Sequence, residues 1–207
     1  MRKGALLLSL ALPACALDLS QTLKAVEDRY NRANTLQVAF SEEFSGQGKG
    51  RRVESGTLSL RKPGRMRWDY TSPAGKLFLV DGKHVYLYSP GTHRVQRTKV
   101  KESGDMHAPL AFLLGKLDFQ RDFRKFTHRP EGADTWIVAE PKSENTPYSQ
   151  VEFAVTPQYQ IRRVRVTGYD RAVLDFSFEQ ERVNPRLDDR IFQFEMPAGA
   201  QLEEAIE

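Results

Sequence analysis

The sequence predicts a mainly β fold: a curled antiparallel sheet with short helices over part of its apolar face. Three observations lead there. Through residues 56–90 the apolar residues fall on alternate positions. Leu58 and Leu60 share a face, and Met66, Trp68 and Tyr70 share a face, which is the period of a strand with one dry side. Alternating runs of this kind recur along most of the chain, whereas helical spacing occurs in two places. The widths are also unequal. Eight or more strands at about 4.8 Å make a sheet roughly 38 Å wide, and two helices of about 10–12 Å each cover about 20–24 Å of it. Such a sheet curls. Under a partial lid it keeps a concave apolar surface, unless its own side chains fill the interior.

At the N-terminus, Arg2 and Lys3, the apolar run 5–12 and Ala14-Cys15-Ala16 read as a secretory signal over residues 1–16. The apolar run is too short to span a bilayer. Leu12-Pro13-Ala14-Cys15 also resembles a lipoprotein box that would leave Cys15 acylated. Pro13 suits that box poorly, so cleavage before Leu17 is expected, with acylation at Cys15 as the alternative. Cys15 is the single cysteine, so the mature chain forms no internal disulfide.

Residues 18–33 place Leu19, Leu23, Val26, Tyr30 and Ala33 at steps of three and four, one apolar helical stripe. Asp18 followed by Gln21 fits a capping start. Leu36, Val38 and Phe40 then alternate, with Phe44 in parity. Runs 51–60 and 65–70 are divided by Lys62-Pro63-Gly64, a natural turn. Asp81-Gly82 marks a hairpin between 77–80 and 85–88. Leu77, Leu79, Tyr86 and Tyr88 make the second face of that hairpin apolar too, so its inward side is ambiguous. Pro90-Gly91 turns the chain into 94–101. Pro109 then opens a short helix carrying Leu110, Phe112 and Leu113, with Gly115 as a stop. Strand runs at 119–126, 135–140, 150–155, 161–168, 173–181 and 191–196 follow. No repeat or linker interrupts residues 17–207, which read as a single domain.

Composition excludes several function classes. The chain has 207 residues, 40% hydrophobic and 28% charged, enough for one domain with a real core. The formal charge is +4 and the pI about 9.2. Without Arg2 and Lys3, the 31 Lys+Arg fall to 29 against 27 Asp+Glu. That leaves little electrostatic case for nucleic acid. Arg61, Lys62, Arg65 and Arg67 beside Trp68 and Tyr70 read as a solvated strand face rather than a stacking platform. His84, His93, His107 and His128 fit no metal-ligand spacing. No nucleophile elbow, zincin motif or phosphate-binding loop is present. Glu42 and Glu43 are adjacent on a strand and face opposite sides, so they form no carboxylate pair. The reading is a protein that is not an enzyme, with no cofactor and no metal.

An ordered set of segments resembles the outer-membrane lipoprotein carrier family, LolA. The segments are Lys62-Pro63 followed by Met66-Arg67-Trp68-Asp69-Tyr70, then Ser72-Pro73, Leu79-Val80-Asp81-Gly82-Lys83, Tyr88-Ser89-Pro90, and the ending Phe192-Gln193-Phe194-Glu195-Met196-Pro197-Ala198-Gly199. The resemblance implies an open antiparallel β-barrel with short helices as a lid over a hydrophobic cavity. It implies a periplasmic carrier of acylated lipoproteins, working as a monomer between an inner-membrane lipoprotein-releasing ABC transporter and the outer-membrane receptor LolB. The rival is a lipid-anchored relative, a LolB-like receptor or another periplasmic lipid binder, acylated at Cys15. In the family an arginine before the proline closes the lid. Here Lys62 stands there, able to donate to carbonyls but without a planar fork. Met66 replaces a large aromatic near the entrance, and methionine suits irregular lipid contact.

Carrying such cargo is a problem of hiding methylenes, each worth about 0.8 kcal/mol when buried. The expected lid contacts are Val26 and Tyr30 from the first helix, Leu110, Phe112 and Leu113 from the second, and Lys62. The expected lipid-facing sheet residues are Val38, Phe40, Leu58, Leu60, Met66, Trp68, Phe78, Val85 and Leu87.

Overall fold

A computed structural model of the chain describes residues 18–46, 49–100 and 117–204. The first helix, α1 (Leu19–Asn31), starts where Asp18 accepts a hydrogen bond from the Gln21 backbone N–H, as its sequence predicts. Leu23, Val26 and Tyr30 form its buried stripe. Six strands follow as a meander: β1 (Thr35–Gly46), β2 (Lys49–Arg61), β3 (Arg65–Ser72), β4 (Leu77–Val80), β5 (His84–Ser89) and β6 (Arg94–Lys99). A single helical turn, α2 (Phe119–Asp122), leads into a second meander. Its strands are β7 (Phe123–Glu131), β8 (Asp134–Pro141), β9 (Tyr148–Val155), β10 (Ile161–Gly168) and β11 (Val173–Val183). A 3₁₀ turn (Asp189–Phe192) and β12 (Gln201–Glu204) end the described chain.

All twelve strands lie in one sheet, in the order β12-β6-β5-β4-β3-β2-β1-β11-β10-β9-β8-β7. The two meanders meet where β1 pairs with β11, placing Phe40 opposite Phe178. Every pairing is antiparallel except β12 on β6, which is parallel. Inward residues from both ends of the order, Val85 of β5 and Phe123 of β7, belong to one continuous buried cluster. Convergence of strands so far apart in the sheet is what its curl accomplishes.

Turn chemistry sets the register. At the β4–β5 hairpin, Asp81 Oδ1 accepts from the backbone N–H of Lys83 and of His84, at 2.7 and 2.8 Å. Gly82 supplies the φ of +99° that an L side chain rarely adopts. At Gly56, β2 and β3 approach so closely that a Cβ would lie 2.0 Å from the Asp69 carbonyl oxygen.

Two sequence expectations need correction. Residues 119–126 do not run as one strand. Asp118 accepts from the Arg121 N–H and caps a helical turn, and extended chain begins at Phe123. Residues 191–196 form no strand either. Their alternation of apolar residues arises because Phe192 is buried and Phe194 stacks on Tyr86 with ring centroids 4.3 Å apart. Pairing is instead reached later, at β12, which the sequence reading did not anticipate. The expected short helix at Pro109, with Leu110, Phe112 and Leu113, lies outside the described residues, as does the N-terminal segment with Cys15.

This C-terminal stretch settles the ambiguity of the β4–β5 hairpin. Residues 185–197 cross the outer face of the first meander. Arg61 donates to the Leu187 carbonyl, and Arg67 Nη1 donates to the Ile191 carbonyl at 2.8 Å. Leu79, on the outer face, is thereby fully buried. Both faces of the hairpin are apolar because both are covered, one by the core and one by the strap.

Candidate functional site

Parity along the strands fixes the inner wall. Leu36, Val38 and Phe40 of β1 stand beside Leu58 and Leu60 of β2, then Met66 and Trp68 of β3, and Phe78 and Val80 of β4, in direct cross-strand register. Val85 and Leu87 continue the wall on β5, paired with Val80 and Phe78. From the other meander come Ile137, Val151, Phe153, Val164, Val166, Leu174, Phe176 and Phe178. Rings meet edge to face across the curl: Phe40 lies 4.6 Å from Trp68, and Trp68 lies 5.5 Å from Phe176 at a tilt. Such geometries add to the burial of each ring.

Every sheet residue expected to face lipid therefore lies on this wall. Val38, Phe40, Leu58, Leu60, Met66, Trp68, Phe78 and Val85 are buried, and Leu87 packs partly buried against the same cluster. Val26 and Tyr30 of α1 join it. The named wall residues are buried rather than exposed on an open surface. Two recesses beneath the last turn of α1 have a volume of about 10 Å³ each, no more than the least room a single water needs. The concave surface is apolar and continuous, but α1 and α2 fill much of it.

Besides its buried stripe, α1 is held by polar bonds concentrated near its C-terminal end. Lys62 Nζ donates to the Tyr30 carbonyl at 2.7 Å. Burial pushes the Lys62 ammonium below its ordinary value. The Tyr30 hydroxyl donates to Glu181 of β11 at 2.7 Å and accepts from the Ile161 N–H at 2.8 Å. Burial and the Glu181 carboxylate push the Tyr30 hydroxyl far up, so it remains a protonated donor. Arg29 pairs with the same carboxylate. On the opposite flank, Asn31 exchanges two bonds with the backbone of Leu117, at 2.7 and 2.8 Å, and Glu27 accepts from the Phe119 N–H at 2.8 Å. Residue 117 directly follows the segment that carries Leu110, Phe112 and Leu113.

Two polar groupings escaped the sequence reading. Glu181 sits on β11 where strand alternation gives no reason to single it out. Glu42, correctly separated from Glu43, instead lies opposite Glu54 across β1 and β2, both buried on the inner face. Lys76 pairs with Glu54, the Tyr70 hydroxyl donates to Glu42 at 3.2 Å, and the Lys76 ammonium stands 4.2 Å from the Tyr70 ring centre. This cluster ends the apolar wall on one side, as Lys62 and Glu181 end it on the other. A signal for the pair existed in principle, since a hairpin register places Glu42 and Glu54 opposite each other. Among the described residues no group of His, Cys, Asp and Glu is arranged to hold a metal ion. No helix there is long and apolar enough to cross a membrane.

Known proteins share both the sequence pattern and the fold. The family model of the outer membrane lipoprotein carrier protein LolA matches residues 31–195. An outer-membrane lipoprotein carrier protein of Chromobacterium violaceum is 28% identical over 201 residues, covering 96% of this chain and 93% of its own. One of Nitrosomonas europaea is 26% identical over 201 residues, covering 95% and 97%. Among solved structures, an uncharacterized conserved protein from Thermus thermophilus aligns with a TM-score of 0.53 at 13% identity, over 91% of this chain and all of its own. That likeness concerns the fold alone.

Proposed function

Because this chain belongs to the outer-membrane lipoprotein carrier family, LolA, we propose that it holds the acyl chains of lipoproteins against the inner wall of its sheet. It is a periplasmic lipoprotein carrier of the LolA type, and carriers of this family bind rather than catalyse. In the proposed cycle it receives cargo from an inner-membrane lipoprotein-releasing ABC transporter and surrenders it to LolB or an equivalent receptor at the outer membrane. Residues 1–16 direct export and are removed, leaving Leu17 first.

One observation supports this reading above the others. A continuous apolar wall is covered by a helix whose polar attachments are few and cluster at one end. A core built for stability alone has no need of a removable cover. Energy for loading must come from the partner, since the chain carries no phosphate-binding loop.

The test is co-purification of the exported protein from the periplasm, followed by mass spectrometry of protein and cargo. Diacyl or triacyl lipoprotein bound to a chain beginning at Leu17 is the expected result. Protein free of lipid after lipoprotein release in vitro would refute it, and an acylated Cys15 would establish the lipid-anchored alternative.

A further inference from the structure

The two recesses beneath α1 share a wall. One is lined by Tyr30, Leu36, Leu60 and Lys62, among others, and the other by Tyr30, Leu36, Val38, Leu58, Phe178 and Glu181. Tyr30 and Leu36 line both, and of the two Tyr30 is the one that comes from α1. It is also the residue through which α1 is fastened to the sheet on both sides, by its carbonyl to Lys62 and by its hydroxyl to Glu181 and the Ile161 N–H. The same residue borders both recesses and fastens the helix.

Its place in the chain gives that coincidence a mechanical meaning. Only residues 32–34 separate α1 from β1, and Asn34 is tied to Asn184 by a 2.8 Å bond from its backbone N–H. Any lifting of α1 therefore pivots about this short connection. The bonds of the last turn lie beside this connection, and α1 cannot turn about it without straining them. Lifting α1 breaks the hydroxyl bonds of Tyr30, and turning its ring outward removes it from the border of both recesses.

Resting on the carrier reading above, we propose that Tyr30 gates cargo entry. Released from Glu181, its ring leaves a single apolar slot between Leu36, Val38, Leu58, Leu60 and Phe178, and that slot admits the first acyl chain. Glu181 is the positioning residue that holds the gate shut. Its carboxylate also pairs with Arg29 of the same helix, so lifting α1 breaks both attachments to Glu181.

The experiment measures uptake of a fluorescent palmitate analogue by stopped flow on the mature protein. Tyr30→Phe keeps the ring and deletes both hydroxyl bonds. Uptake should accelerate about tenfold or more, the factor expected when a charge-assisted bond is lost from the closed state alone. Glu181→Gln keeps an acceptor for the hydroxyl and should give a smaller acceleration. Val95→Ala, a truncation of a buried β6 residue that pairs with Tyr88 on the other face of the sheet, controls for destabilisation and should leave the rate near that of the parent. Equal rates for Tyr30→Phe and Val95→Ala, with folding verified by circular dichroism, would overturn the gate while leaving the carrier reading intact. Absence of uptake by the parent protein itself would remove both.

Discussion

Leu58→Ala separates a core residue from a cargo-contacting one. Leu58 is 1% exposed and lines a recess beneath α1. Truncation removes three carbons, worth about 2.4 kcal/mol at roughly 0.8 each. The unfilled space adds to this, bringing the expected loss to about 3–5 kcal/mol. For a chain of this size each kcal/mol shifts the midpoint by about 2–4 °C, so Tm should fall by roughly 6–20 °C. A pure core position would stop there. At a cargo position the new cavity is extra room for an acyl chain, which recovers part of the loss on binding. The variant should then bind a palmitoyl probe about tenfold more tightly than the parent, a gain of about 1.4 kcal/mol. The assay is thermal unfolding with and without probe, at a probe concentration near a hundred times Kd, where the parent gains about 2.7 kcal/mol. A variant that loses stability yet gains no more from the probe than the parent shows Leu58 to be ordinary core and refutes the reasoning.

Other outcomes are expected from the same geometry. Leu60→Asp places a charge on the inner wall and should abolish probe uptake while circular dichroism still reports a folded sheet. Trp136→Ala, on the outer face where three guanidinium groups stand 5.1–5.3 Å from the ring centre, should cost about 3–5 kcal/mol of stability and leave uptake at the parent rate. Lys62, buried against the Tyr30 carbonyl, has its ammonium held below the ordinary value of 10.5. Below 10.5 and above the lowered value the unfolded chain binds more protons, so stability should rise with pH through that window. Lys62→Met should flatten the rise in urea titrations carried out at successive pH values.

Much of this molecule is legible in its sequence because strands with one dry face announce themselves by parity. Leu58 with Leu60 and Met66 with Trp68 fix the inward side of β2 and β3, and the register agrees with both. The Asp81-Gly82 hairpin is legible for a different reason, since few residue pairs satisfy that turn. Two kinds of feature stay hidden. Pairing between distant segments leaves no local trace, so neither the β1–β11 closure nor β12 on β6 could be inferred from spacing. Coverage is equally non-local. Phe192 and Phe194 alternate like a strand because they press on the sheet's outer face, and only the fold distinguishes that from pairing. Glu181 was illegible on both counts, because its meaning comes entirely from Tyr30 and Arg29, which lie 151 and 152 residues earlier in the chain.

A buried wall is compatible with carriage of lipid, and the energies involved show why it suits that task. Burying a sixteen-carbon chain stabilises by about 12 kcal/mol at roughly 0.8 per methylene. Lifting α1 uncovers Leu23, Val26 and Tyr30, at about 1.5–3 kcal/mol for each side chain, or about 5–9 kcal/mol together. Opening the lid therefore offsets roughly half of the burial energy of the first chain, at about 5–9 of 12 kcal/mol, and that chain is held less tightly than the next. A second chain enters a lid already raised and keeps nearly all of its own. On the proposed carrier reading, the domain should favour cargo with several acyl chains over free fatty acids, through a single opening cost rather than through any contact with a head group. Competition between a triacyl and a single-chain probe would check this. The same cost drives α1 back onto the wall as cargo leaves, so release to a receptor needs only a competing apolar surface. A permanently open hollow would bind the first chain as strongly as the last, and would give up neither readily.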